Sequence, residues 1–439
     1  MAVDVNAGDL STPARWVRWG DTHARAVALC AVALSVALAG GYALVLGDIL
    51  RFADEQEYLE LTRALAEGQG YAFEGQPTAY RPPGLPLLLA PVHAATGGSI
   101  LALRLVGVFA LAASVWLAYL LGRRMHSPST GALAAVATGC YPLFVYTATT
   151  LYPQVPAMAL LLGFIEASLR VADAGSGFGW RWVLAAGLAG GILVLTVPTL
   201  ALSIPVVLGW ICWQRRGSST RTRLCRALAA VAALAILVPG AWTARNAFTM
   251  GAFVPISTNS GVNLLLGNSG NVTADSGSAG DIVGYYEKVG ALGLDEVEAN
   301  RFYTHSALDW VRAHPGQAAR LYAEKVVHTF AYSNDFFTTG RGNSLRDIVS
   351  AVTFYPVLTL ALVRLALARW RPLRPEEQQL AGLIIVNVLL LAVFFTRIRL
   401  RLPVDGMLII LASSATMQLL ALRVRRRRAG SAEDPVSAR

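Results

Sequence analysis

The chain has 439 residues, 55% of them hydrophobic, and a formal net charge of +10. A soluble domain of this size has too little interior for so much apolar side chain, so runs of about twenty apolar residues read as membrane spans. The basic balance does not signal nucleic acid. All but Lys288 and Lys325 of the 37 basic residues are arginines, and most sit in short loops between apolar runs, where membrane topology alone accounts for them.

In chain order, residues 1–25 form a polar, arginine-bearing tail. The apolar run 26–47 is full length without a clear cleavage site, so it reads as a retained span rather than a signal peptide. An acidic loop at 48–98 follows, then spans at 99–122, 130–147 and 153–171. Residues 182–213 are too long for one straight span and are interrupted at Thr196-Val197-Pro198, which predicts two short helices meeting near the outer face. A span at 226–241 leads into a polar region, 242–345, with helical patterns at 295–314 and 316–330. Spans at 348–368, 378–396 and 403–422 precede a basic tail, 423–439, whose Arg425–Arg428 serve as a topology anchor. The expectation is an all-α polytopic membrane protein of about ten spans over 26–422. The arginine-bearing loops 123–128, 172–181, 214–226 and 369–377, with both tails, then share the cytoplasmic side, and 48–98 and 242–345 face outward. Cys30, Cys140, Cys212 and Cys225 form no CxxC pair and read as small apolar residues, with no disulfide or zinc site expected.

The first outer loop carries most of the chemistry. Residues 54–67 pattern as an interfacial amphipathic helix stopped by Gly68 and Gly70. Asp54 and Glu55 open it, where acid suits the helix dipole. Glu57, Glu60 and Glu67 read as a solvated face, whereas Asp54 projects on the side of Tyr58 and Leu61. In Tyr80-Arg81-Pro82-Pro83-Gly84 two prolines stiffen the backbone under an arginine, an arrangement suited to clamping one phosphate. In the later loop, Trp242, Arg245 and Asn246 are followed by Ser257, Thr258, Asn259 and Asn263, neutral donors and acceptors of the kind that read hydroxyl-rich ligands. Lys325 and His328 are further candidate substrate contacts in the outer region. Arg397, Arg399 and Arg401 sit on the outside, against the positive-inside trend, and call for an anionic ligand.

The order DE-x₂-Y, YRPPG, W-x₂-RN, P-x-STN-x-G-x-N, GN and R-x-RLP resembles bacterial membrane glycosyltransferases of the GT-C superfamily, the branch similar to protein O-mannosyltransferases and the lipid A aminoarabinose transferase. The resemblance implies a sugar donor on a polyprenyl phosphate, and a glycan, lipid or protein acceptor of the cell envelope. It places the enzyme in the bacterial inner membrane with an outward site. It implies Asp54, with Glu55 beside it, as catalytic, and Arg81, with Arg245, Arg399 and Arg401, on the donor phosphate. Tyr58, Tyr80, Asn246, Ser257, Asn259, Asn263, Lys325 and His328 are the expected substrate contacts. Two features differ from the pattern. Gln154 stands where relatives often carry a carboxylate, and the soluble C-terminal domain of longer members does not follow.

A polyprenyl phosphate leaves as a stable anion, so one carboxylate suffices as base and no general acid is required, in contrast to glycosidases. Inversion at the anomeric carbon follows, and no metal or other cofactor is expected. No P-loop or dinucleotide fingerprint supports a nucleotide-sugar donor. The rival expectation is a transporter or flippase of an amphipathic lipid, which would bury ionisable groups mid-bilayer. A non-catalytic scaffold would need neither Asp54 nor Arg81.

Overall fold

The computed structural model describes residues 15–174, 179–218, 220–332 and 344–432. Residues 1–14 of the N-terminal tail, 175–178, 333–343 of the large loop and the side chains of Arg425–Arg428 lie outside the description. The described chain is helical: α1 (Arg15–Leu46), α2 (Ala53–Ala66), α3 (Gly84–Thr96), α4 (Ile100–Met125), α5 (Pro128–Gly139), α6 (Pro142–Ala148), α7 (Gln154–Asp173), α8 (Trp180–Thr196), α9 (Ser203–Gln214), α10 (Arg221–Met250), α11 (Ser260–Gly267), α12 (Val283–Leu292), α13 (Glu296–Ala313), α14 (Pro315–His328), α15 (Ser344–Ala366), α16 (Pro375–Val393) and α17 (Ile398–Ala432). Two-residue strands, Ala72–Phe73 and Gln76–Pro77, make one antiparallel ladder.

Among the described residues, seven helices are long and apolar enough to cross a membrane: α1, α4, α7, α10, α15, α16 and α17. Helices α5 and α6 are bent by 58° at a short break, and count as an eighth span if taken together. The expected ten differ from this by α8 and α9. The break at Val197-Pro198 falls where the sequence placed it, but the pieces have only 17 and 12 residues, short of the roughly 20 that a straight crossing needs.

Small residues let the spans approach closely, since lipid offers no hydrophobic drive between helices. A Cβ at Gly131 of α5 would overlap the Tyr119 carbonyl of α4. Ala24, Ala28 and Ala31 bury a face of α1 in the same core. The expected arginine loops meet at one end of the bundle. Arg124 pairs with Glu166 at 2.8 Å and Asp173 at 2.6 Å, Arg215 reaches Asp173 at 3.2 Å, and Arg374 donates to the His126 carbonyl at 3.5 Å. The end is locked by Arg364, whose guanidinium forks onto Glu377 at 2.7 and 2.6 Å, both side chains essentially fully buried.

At the opposite end, irregular backbone is pinned by side chains. Buried Arg104 of α4 donates to the carbonyls of Gly47, Ile49 and Thr149, tying the end of α1 to the end of α6. Gly84 packs so tightly against the backbone of Leu195 and Thr196 that any Cβ would collide, which brings the Arg81-Pro82-Pro83 turn beside the α8 break. Above this end α11, α12 and α13 enclose a second core around Val262, Leu265 and Tyr303. Helices α13 and α14 match the two helical patterns read in the polar region.

Candidate active site

The first turn of α2 presents Asp54 to two arginines from distant parts of the chain. Arg81 Nη2 lies 2.6 Å from Asp54 Oδ1, and Arg399 Nη2 lies 2.8 Å from Oδ2. Arg81 also donates from Nε to Glu57 at 2.7 Å and lies over the rings of Tyr58 and Tyr80, at 5.6 and 5.4 Å. Arg399 lies over Tyr152 at 4.6 Å. The cluster sits in a cavity of about 570 Å³. One wall is polar, with Ser257, Asn259 and Asn263, and another is apolar, with Val197, Leu202, Leu390, Leu391 and Phe394.

Burial works to raise the Asp54 carboxyl, but Arg399 and Arg81 outweigh it and hold it below the usual carboxylate range. Burial disfavours the charge on Arg81, and the oxygens of Tyr58, Asp54 and Glu57 overcome that. Tyr80 is pushed up to about 12, chiefly by burial, and stays a neutral hydroxyl.

Of the residues expected here, Asp54, Tyr58, Tyr80, Arg81, Ser257, Asn259, Asn263 and Arg399 line the one cavity. The others do not, and each has a physical reason. Glu55 is 1% exposed and faces away. Its carboxylate accepts from the amides of Arg51, Phe52 and Leu151, capping α2 and fastening it to the turn before α7. Arg245 donates to the carbonyls of Thr78 and Tyr71 at 2.7 and 2.8 Å, and so holds the loop that carries Arg81. Asn246 is buried, with its amide on the Val254 carbonyl. Arg401 pairs with Asp405 at 2.8 Å and donates to the Thr329 and Ala331 carbonyls. Lys325 donates to the carbonyls of Gly267 and Phe394, both at 2.8 Å, closing the ends of α11 and α16. His328 contacts Thr396 at 3.0 Å.

The sequence reading missed some of the surroundings. Glu57, expected on a solvated face, is a partner of Arg81, because the loop after α2 folds back over that face. Tyr152, Thr196 and Tyr286 line the cavity although they were not expected there, and so do Gln154 and Arg397, which the sequence had singled out. The helix break at Val197-Pro198 was a usable signal for one wall, since a broken helix at membrane depth is tolerated only where it is buried or lines a cavity.

Residues 80–242 match the family model described as dolichyl-phosphate-mannose-protein mannosyltransferase. The fold superposes on the archaeal oligosaccharyltransferase AglB from Archaeoglobus fulgidus, solved with an inhibitory peptide and a dolichol-phosphate, at a TM-score of 0.55 and 14% identity, over 95% of this chain and 52% of that one. It superposes on ArnT from Cupriavidus metallidurans bound to undecaprenyl phosphate at a TM-score of 0.52 and 14% identity, over 93% of this chain and 62% of that one. The chain shares the fold of these two structures, the GT-C-like fold that the sequence motifs imply. The chain thus spans a little over half the length of the structures it matches, and the resemblance carried by the sequence motifs holds both in the family model and in the fold. No curated protein matches by sequence.

Proposed function

We propose that this chain transfers a sugar from a polyprenyl-phosphate donor to a hydroxyl acceptor, on the outer face of a bacterial inner membrane, with inversion and without a metal. One observation carries the reading: a carboxylate, Asp54, held between Arg81 and Arg399 inside a cavity with one apolar wall. The gathering of the arginine loops at the far end supports the outward assignment.

The donor phosphate competes with Asp54 for the two guanidiniums, and the apolar wall receives the first isoprene units. Leu389 and Ile385 of α16, exposed at 42% and 57%, extend that wall toward the lipid. Once the phosphate occupies Arg81 and Arg399, the pairing that depresses the Asp54 carboxyl is relieved and it becomes a better base. Asp54 takes the proton of the acceptor hydroxyl. The acceptor oxygen attacks the anomeric carbon from the face opposite the phosphate. The anomeric carbon–oxygen bond breaks with its electron pair going to the phosphate. Arg81, Arg397 and Arg399 line the cavity, and guanidiniums so placed stabilise the second negative charge that develops on the departing phosphate. These guanidiniums fill the role a metal would otherwise hold. A second cavity, about 290 Å³, shares Tyr80 and Arg81 with the first and gives the acceptor an approach from the side of Glu57 and Glu296.

The test is release of polyprenyl phosphate from labelled lipid-linked sugars by the purified full-length protein, with the anomeric configuration of the product read by NMR. Lipid flipping in vesicles without sugar release would replace this reading with the transporter.

A further inference from the structure

Arg81 is shared between two carboxylates that do not face the same space. Asp54 and Glu57 stand three residues apart on α2, so they lie on one side of the helix. Arg81 donates from Nη2 to Asp54 Oδ1 at 2.6 Å and from Nε to Glu57 Oε2 at 2.7 Å. Asp54 lines the main cavity and not the second, whereas Glu57 lines the second and not the main one. An anion that enters the main cavity therefore competes with Asp54 for Arg81, and Glu57 does not stand in its way.

The rest of Arg81 is restrained as well. The Tyr71 hydroxyl donates to its carbonyl at 2.8 Å, and Pro82-Pro83 stiffen the chain after it. Its guanidinium lies over the rings of Tyr58 and Tyr80. A ring face holds a cation near it without fixing which edge of the cation points where. The bond from Nε does have direction, and it sets where the two Nη nitrogens point. Glu57 also has an effect of opposite sign, because a negative charge beside Arg81 opposes the binding of an anion. The Glu57 and Arg81 side chains are 30% and 18% exposed, so solvent screens that charge, and orientation is the larger effect.

We propose that Glu57 is a positioning residue of the phosphate site. It keeps Arg81 by Nε while the donor phosphate displaces Asp54 from Nη2, so the guanidinium is already aimed when the phosphate arrives. This rests on the polyprenyl-phosphate-donor reading above.

The test measures binding of bare polyprenyl phosphate, and kcat for release of the labelled lipid phosphate, on the folded fraction of the purified full-length protein. Three variants separate orientation from charge. Glu57→Gln removes the charge but keeps an oxygen that accepts from Nε, and binds at least as tightly as the wild type. Glu57→Asp keeps the charge but is one methylene too short to reach Nε. Glu57→Ala lacks both. The Asp and Ala variants weaken polyprenyl phosphate by about 2- to 10-fold, the effect of leaving one long side chain to be ordered by the ligand. They lower kcat too, because the same guanidinium meets the charge that develops on the leaving phosphate, and Glu57→Gln restores both readings. A plain counter-charge gives the reverse order, with Ala and Gln tighter than the wild type and Asp equal to it, and overturns the inference. A merely structural role lowers the unfolding midpoints and leaves the affinity of the folded fraction unchanged in all three, which overturns it as well. If the wild type binds no polyprenyl phosphate, the donor reading falls and this inference with it. If the wild type binds and the series comes out otherwise, the inference alone falls.

Discussion

Both ends of the bundle are built on arginine–carboxylate forks, and the two behave differently because of what surrounds them. At the loop-rich end Arg364 and Glu377 are sealed at 1% and 0% side-chain exposure, and Ser414 and the Arg374 amide take up the remaining carboxylate capacity. At the cleft end Asp54 and its partners Arg81 and Arg399 keep 22%, 18% and 17% of their side chains exposed, toward a cavity. A sealed fork is a staple, because no other ion can reach it. An ion pair on a cavity wall is exchangeable, because an entering phosphate offers the same guanidiniums a better acceptor.

The comparison is broken hardest at Asp54. Asp54→Asn is expected to lower sugar transfer by about 10²- to 10⁴-fold, the usual range for a general base, while affinity for polyprenyl phosphate is retained or improved. Release of labelled polyprenyl phosphate and a binding titration on the same preparation check both halves.

At the sealed end the expected loss is in stability. Arg364→Ala strands a buried carboxylate and should cost about 3–5 kcal/mol. Unfolding of the protein in detergent measures it, and an unchanged midpoint would show that this fork is not a staple. Transfer per folded molecule should stay near that of the wild type.

A finer division separates arginines within the outer half. Arg81→Ala should weaken polyprenyl phosphate by about 10- to 100-fold, since a charge-assisted hydrogen bond contributes about 1.5–3 kcal/mol. Arg245→Ala, by contrast, frees the Tyr71–Arg81 loop from α10 and should lower the unfolding midpoint more than it lowers the intrinsic affinity of the folded fraction. Equal losses of affinity in the two variants would restore Arg245 to the phosphate site.

The smallest effect concerns Lys325, whose ammonium burial pushes down to about 8. The unfolded chain, with an ordinary lysine value near 10.4, binds more protons between those two values, so stability should rise with pH across that window. Unfolding midpoints of the wild type and Lys325→Met, compared between pH 7.5 and 10, should diverge in favour of the wild type as pH increases.

The sequence by itself determined the class of fold, the helix break at Val197-Pro198 and the two ends of the cation clamp. Apolar run length, proline chemistry and arginines placed against the topological trend are local signals, readable one segment at a time. It also placed Asp54, because an acid on the apolar side of an amphipathic helix is anomalous. What only the tertiary structure decided is which polar groups are already spent. Arg245, Arg401, Lys325 and Glu55 have the same chemistry as Arg81, Arg399 and Asp54, but backbone carbonyls, amides or a buried partner carboxylate from other segments engage them. Such groups are needed where irregular backbone leaves the membrane without ladder bonds, and the partners lie up to 174 residues away in the chain, as between Arg245 and Tyr71.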